Sequence, residues 1–301
     1  MTSLHLFSAC GAVERAAALR LAAKRLQAMG MDVQVDASAL ARHQRFAGDD
    51  ATRLAALHRV AAEAPSVAMA TRGGYGLTRL LDHIDWKLLA RSIERGTRWV
   101  GYSDVTALQM GLLAHAGNAG CSWAGPMATG DFGRPQTEGG VDEVTRDCFL
   151  EAMRGELEAV GFRTEPGFDG LGVSGRLWGG NLAMLVSLLG TPHWPAIKGG
   201  VLFLEDINEH PFRIERMLLQ LHQAGVLDRQ KAVVLGAFSG VKPTPQDRGF
   251  TLKAVIARLR TLTSVPVLTG LPFGHVPTKV TLPVGRKVQL LVQGRDALIG
   301  W

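Results

Sequence analysis

The run TRWVGYSDVTALQMGLLAHAG, residues 97–117, constrains the fold more than any other stretch. Trp99, Val100 and Tyr102 form a short apolar run of strand-favouring types, and from Val105 the apolar residues Leu108, Met110, Leu112 and Leu113 fall at helical spacing. A strand therefore turns sharply into a helix at Gly101-Tyr102-Ser103-Asp104. A serine at the apex of such a turn has its hydroxyl pushed out of the sheet, where the first N–H groups of the helix also point. An exposed nucleophile beside donors for a negative oxygen suits acyl transfer. The same residues suit a plainer role: Ser103 or Asp104 can cap the helix, and the second glycine of Gly-x-Ser-x-Gly is missing.

The segments around this turn alternate. Residues 4–7, 31–35 and 66–70 read as strands, and residues 13–29, 49–62, 77–81 and 86–95 as helices. That order predicts an α/β fold with a parallel sheet between helices, its ligands beyond the carboxyl ends of the strands. Both RGGYG (72–76) and GYSD (101–104) lie at such ends. Residues 155–175 are glycine-rich and weakly periodic, as expected of a linker between an N-terminal domain over 1–154 and a smaller C-terminal α/β domain over 176–301. In the latter, helices are expected at 182–189, 212–224 and 252–262, and strands at 201–204, 232–235 and 265–268. The end, 280–299, reads as short antiparallel strands split by Pro283-Val284-Gly285.

Composition narrows the function classes. With 301 residues, 47% hydrophobic and 20% charged, the chain has the make-up of an ordinary soluble protein. Its first residues lack the basic and apolar regions of a secretory signal, and no apolar run approaches the roughly 18 residues of a membrane span. Three cysteines are too few and too scattered for a disulfide framework or a zinc site, so a reducing cytoplasm is expected. The formal charge of +6 admits an anionic partner. Basic residues are dispersed, without a helix-turn-helix or an aromatic-basic platform, which argues against nucleic acid and fits a small substrate with several carboxylates.

A serine nucleophile needs a base, itself oriented by a carboxylate. Among nine histidines, His275 sits in LPFGHVPTKV, a loop between glycine and proline that follows a strand. Glu205 and Asp206 close an apolar strand, where a carboxylate is costly to bury unless paired, so one of them is suited to orienting an imidazole. The alternative is that Asp206, Asn208 or Glu209 caps the helix starting near Pro211. In RGGYG, Gly73 or Gly74 can bring a backbone N–H to an oxyanion beside that of Asp104; the lysine and Ser/Thr of a phosphate loop are absent.

Taken together, RFAGDDATRLAALH, ATRGGYGLTRLLDHIDW, GYSDVTALQMGLLAH, AGPM, LWGGNLAMLVSLLGTP, LFLEDINEHPFRIERMLLQLHQAG, LGAFSG, TGLPFGH and TLPVG resemble, in order and over nearly the whole chain, the murein tetrapeptide LD-carboxypeptidases. This serine peptidase family also contains the microcin C immunity proteins. The resemblance implies two α/β domains and a triad of Ser103 as nucleophile, Glu205 as orienting carboxylate and His275 as general base. It further implies oxyanion donors on the backbone of Asp104 and of Gly73 or Gly74, and no metal or other cofactor. The implied reaction releases the terminal D-alanine from L-Ala-γ-D-Glu-meso-diaminopimelate-D-Ala during cytoplasmic recycling of cell-wall fragments, by a homodimer. Arg72, Tyr75, Arg176 and Arg213 are candidates for holding that anionic peptide, although Arg213 can equally pair with Glu209 on its own helix. The rival readings are an immunity hydrolase acting on acyl-adenylate-like toxins and a non-catalytic binder of wall peptides.

Overall fold

The computed structural model describes residues 1–301 apart from 118, 119 and 243. In its first half the elements are β1 (Thr2–Phe7), α1 (Ala16–Ala28), β2 (Met31–Val35), α2 (Asp50–Glu63), β3 (Val67–Ala70), α3 (Trp86–Glu94), β4 (Arg98–Gly101), α4 (Thr106–His115), β5 (Ser122–Ala124) and α5 (Glu143–Arg154). There follow β6 (Ala159–Arg163), β7 (Gly172–Asn181), α6 (Leu182–Ser187), β8 (Val201–Ile207), α7 (Pro211–Gln223), β9 (Ala232–Ser239), α8 (Leu252–Leu262), β10 (Val267–Leu268), β11 (Leu282–Val284), β12 (Lys287–Gln293) and β13 (Asp296–Gly300). The chain divides into two compact units. The first comprises Met1–Glu156, Gly190–Pro195 and Pro277–Val284; the second comprises Leu157–Leu189, Ala196–Val276 and Gly285–Trp301.

The first unit is built on a six-stranded sheet in the order β11-β5-β4-β3-β1-β2. Strands β1 to β5 are parallel, and β11 closes the edge antiparallel to β5. Every residue of β3 is buried, as a central parallel strand requires. The order reverses between β1 and β3, which makes the carboxyl end of β3 a topological switch point of the kind where α/β sheets bind ligands. The glycine turn RGGYG begins there, and the Ser103 turn leaves the neighbouring β4.

Two expectations for this unit change. Residues 77–81 do not open an α-helix; they form separate 3₁₀ turns at Leu77–Arg79 and Leu81–His83, with the Leu77 N–H bonded to the Asp104 carboxylate. Pro283 does not split two strands but lies within β11, tolerated because an edge strand leaves one side of its ladder unpaired.

The second unit holds a seven-stranded mixed sheet, β10-β9-β8-β7-β12-β13-β6. Strand β7 joins its two halves: Gly172–Arg176 pairs antiparallel with β12, and Leu177–Asn181 pairs parallel with β8. Residues 155–175, read from the sequence as a linker, include β6 and the start of β7. The alternation there is short, with Val160 and Phe162 inward and Gly161 and Arg163 outward, and glycines dilute it.

Candidate active site

In the first unit, β4 ends in Gly101 and the chain enters a 3₁₀ turn at Ser103–Val105 that leads directly into α4. Ser103 has φ +64°, the left-handed region, which costs a residue with a Cβ about 1–3 kcal/mol and is concentrated at functional sites. Its side chain does not cap the turn; the cap position belongs to Tyr102, without a side-chain bond. Gly73 packs directly on this serine. A Cβ there would lie 2.8 Å from Ser103 Cβ, 2.9 Å from Ser103 Oγ and 3.4 Å from Asp104 N, so only glycine fits without displacing the turn. Gly74 instead lies over Gly11 and the Arg72 guanidinium.

Asp104 is buried, and its Oδ2 accepts a hydrogen bond from Leu77 N–H at 2.8 Å. Burial pushes its carboxyl up to about 6, against the opposing pull of the Leu77 and Gly76 N–H groups and of Arg53. The Cys10 thiol beside it is raised by burial and then by the Asp104 charge. Arg53 is fully buried on the inner face of α2, and its Nη1 donates to Ala9 O and Gly76 O, each at 2.8 Å.

In the second unit, Glu205 lies within β8 with no exposed surface. Its Oε2 is 2.8 Å from His275 Nδ1, and Asn181 Nδ2 donates to its Oε1 at 3.2 Å. Parallel pairing of β7 with β8 sets Asn181 opposite Glu205. The Ser239 hydroxyl donates to His275 O at 3.1 Å, tying the histidine loop to the end of β9. Gly274 lets that loop come close: a Cβ on it would sit 3.1 Å from Glu205 Oε2 and from Ala237 O. An imidazole whose Nδ1–H is donated to a buried carboxylate has Nε2 as its proton-accepting nitrogen.

The neighbouring acids have other work. Asp206 accepts from Ala183 N–H in the first turn of α6 at 2.9 Å, from Ile207 N–H at 2.8 Å and from Asn181 Nδ2 at 3.0 Å. Burial, reinforced by the Glu205 charge, pushes its carboxyl up to about 6 in spite of these donors. None of Asp206, Asn208 or Glu209 caps α7: its cap position is His210, with no side-chain bond, and the helix opens on Pro211, whose missing N–H needs no partner. Glu209 pairs with Arg213 one turn on.

The expected substrate contacts separate in the same way. Arg72 donates to Ala12 O at 3.2 Å and pairs with Glu14. Tyr75 is exposed, with Phe46 5.8 Å and the Arg45 guanidinium 5.7 Å from its ring. Arg176 lies five residues before Asn181 on β7, roughly 16 Å along the strand at ~3.3 Å per residue. Ser103, Asp104 and Gly73 thus come together in the first unit, and Glu205 and His275 in the second.

The profile of the LD-carboxypeptidase N-terminal domain matches residues 4–122, and that of the LD-carboxypeptidase C-terminal domain matches residues 174–290. The crystal structure of muramoyltetrapeptide carboxypeptidase from Oxalobacter formigenes superposes with a TM-score of 0.89 at 39% identity, covering 100% of this chain and 99% of that one. The chain belongs to the LD-carboxypeptidase family. A protein named "Probable murein peptide carboxypeptidase" from Bacillus subtilis is 30% identical over 282 residues, 91% of this chain and 84% of its own length. The murein tetrapeptide carboxypeptidase of Pseudomonas aeruginosa is 30% identical over 277 residues, covering 89% of this chain and 86% of that protein. The chain is therefore a hydrolase of the carboxypeptidase class.

In this LD-carboxypeptidase, four further residues lie beside these groups, each within its own unit. Asn181 caps α6, its Oδ1 accepting from Met184 N–H at 3.1 Å, and its amide also holds Glu205 and Asp206. Arg53 and Lys279 are lone charges in otherwise apolar or mixed segments, and only burial reveals them; Lys279 is 1% exposed, paired with Asp131, its Nζ 5.4 Å from the Tyr102 ring centroid. Gly274 is legible only once Glu205 is seen beneath it.

Proposed function

We propose that the enzyme is a serine-type LD-carboxypeptidase that releases the terminal D-alanine from murein tetrapeptides of the form L-Ala-γ-D-Glu-meso-diaminopimelate-D-Ala. The observation that carries this reading is the Glu205–His275 pair: a wholly buried carboxylate holds Nδ1 and so selects the tautomer whose Nε2 is a base. The left-handed Ser103, tightly packed against Gly73, supports the assignment of the nucleophile.

In this mechanism His275 Nε2 takes the Ser103 proton as Oγ attacks the carbonyl carbon of the diaminopimelate residue. The oxyanion that forms is held by the backbone N–H of Asp104 and, by its position beside the serine, of Gly73. Protonated His275 gives its proton to the leaving nitrogen and D-alanine departs, leaving the tripeptide esterified to Ser103. Water, deprotonated by the same imidazole, then attacks the ester and regenerates the hydroxyl. Glu205 stays ionised throughout and stabilises the imidazolium.

Arg72, Tyr75, Arg176 and Arg213 are the proposed contacts for the substrate's carboxylates and peptide stem, in keeping with the net charge of +6. We place the activity in the cytoplasmic recycling of wall fragments, on the reading that three cysteines, Cys10, Cys121 and Cys148, are too few and too scattered for a disulfide framework. Among the described residues no helix is long and apolar enough to cross a membrane. A homodimer completes the proposal, carried by the family resemblance.

Side-by-side assay of the tetrapeptide and of an acyl-sulfamoyl adenylate tests the substrate. D-Alanine release from the first without cleavage of the second is the expected result. Cleavage of the adenylate alone would assign the chain to toxin immunity, and stoichiometric binding without turnover would make it a wall-peptide binder.

A further inference from the structure

The Asp104 backbone and side chain face different tasks. The carboxylate reaches back from the Ser103 turn to the far end of the glycine turn, where Oδ2 accepts from Leu77 N–H at 2.8 Å. At the near end, Gly73 touches Ser103 and its carbonyl accepts from Gly11 N–H at 3.2 Å. Between these points the fully buried Arg53 holds Gly76 O to Ala9 O through one nitrogen, while its other terminal nitrogen pairs with Asp50. Nothing larger than glycine is accommodated beside that guanidinium, since a Cβ on Gly76 would lie 2.7 Å from Nη1. The glycine turn is thus held by hydrogen bonds at three points, and of the partners named only Asp104 belongs to the turn that carries the serine.

We infer that the Asp104 side chain is a positioning residue: by binding Leu77 N–H it locks the Gly73–Leu77 turn to the Ser103 turn and so fixes the spacing of the two proposed oxyanion donors. The inference rests on the reading of Ser103 as nucleophile. It assigns the carboxylate no contact with substrate and no part in proton transfer. A cap on the following helix would give the same residue a purely structural role, but the bond runs to a different element, 27 positions earlier in the chain.

The test compares Asp104→Asn, Asp104→Ala and Asp104→Leu by tetrapeptide kinetics and by hydrogen exchange of the Leu77 amide. Asparagine keeps an oxygen for Leu77 N–H and is expected to hold kcat within about fivefold of wild type. Alanine and leucine remove the acceptor, so kcat should fall about 10²–10³-fold, the loss typical of a misplaced oxyanion donor, with KM changed less than about threefold. Leu77 amide exchange should accelerate at least tenfold in the same two variants and not in Asp104→Asn. Folding is verified by near-ultraviolet circular dichroism, and either apolar variant that folds suffices. An asparagine variant as slow as the alanine one, or an apolar variant with wild-type kcat, overturns the inference. So does an unaltered Leu77 exchange rate. A wild-type enzyme that releases no D-alanine defeats the proposed reaction instead, while the exchange data still decide whether the clamp exists.

Discussion

Glu205 Oε2 lies 2.8 Å from His275 Nδ1, although Glu205 is wholly buried in β8 and His275 belongs to a loop 70 residues later. Burying a carboxylate is tolerable only when its lone pairs are met, and here the imidazole and the Asn181 amide meet them. The pair therefore fixes both the tautomer and the direction of the ring.

Glu205→Gln tests that arrangement. The amide keeps the shape but presents a donor where an acceptor is needed, favouring the wrong tautomer. We expect kcat to drop about 10³–10⁴-fold with little change in KM or in melting temperature. Steady-state kinetics on the folded variant check this; a loss under tenfold contradicts it.

Gly73→Ala should inactivate through geometry alone. The added methyl would meet Ser103 Cβ at 2.8 Å, so the serine turn must shift. A displacement of that order costs about 10²-fold in rate. Gly161→Ala is the control, because its nearest neighbour is Ala297 O at 3.9 Å, and its activity should match wild type.

Asp206 supplies a pH signature in stability. Its carboxyl, raised by burial from 3.8 to about 6, binds a proton more tightly folded than unfolded. Its contribution is therefore fully present below about pH 4 and is lost as pH rises through 6, a span worth about 3 kcal/mol. Relative to wild type, Asp206→Asn should thus gain stability between pH 4 and pH 7, whatever its constant offset. Urea unfolding of both proteins across that range measures the slope, and parallel curves contradict the assignment.

The Lys279–Asp131 pair is buried on both sides, at 1% and 3% side-chain exposure. Lys279→Met leaves an unpaired buried carboxylate and should destabilise by about 3–5 kcal/mol, whereas Lys279→Met with Asp131→Leu should recover at least half of that. Denaturant midpoints of the two variants check the difference.

How far the chain can be read without coordinates depends on whether a residue's partner is near it in sequence. Strand Met31–Val35 and helix Leu252–Leu262 coincide with the expected ranges because their apolar periods run cleanly between breaking residues. At residues 77–81 the partner of the Leu77 N–H is Asp104, 27 positions on, which no local period shows. The same holds for β6, whose partner strand β13 lies at the other end of the chain. Among the candidate residues, Ser103, Glu205 and His275 stand out as chemistry-bearing types in strand-end motifs. Asn181, Arg53 and Lys279 do not, since a cap and two ordinary charged residues acquire meaning only from the buried groups they touch.

The central claim is that the Ser103 hydroxyl forms the bond to the substrate. Mass spectrometry of the tetrapeptide after incubation with wild type and with Ser103→Ala tests it most directly. The account predicts conversion to tripeptide and one D-alanine by wild type, and a rate at least about 10⁴-fold lower for the folded variant. Tripeptide formed by Ser103→Ala within tenfold of the wild-type rate would contradict it.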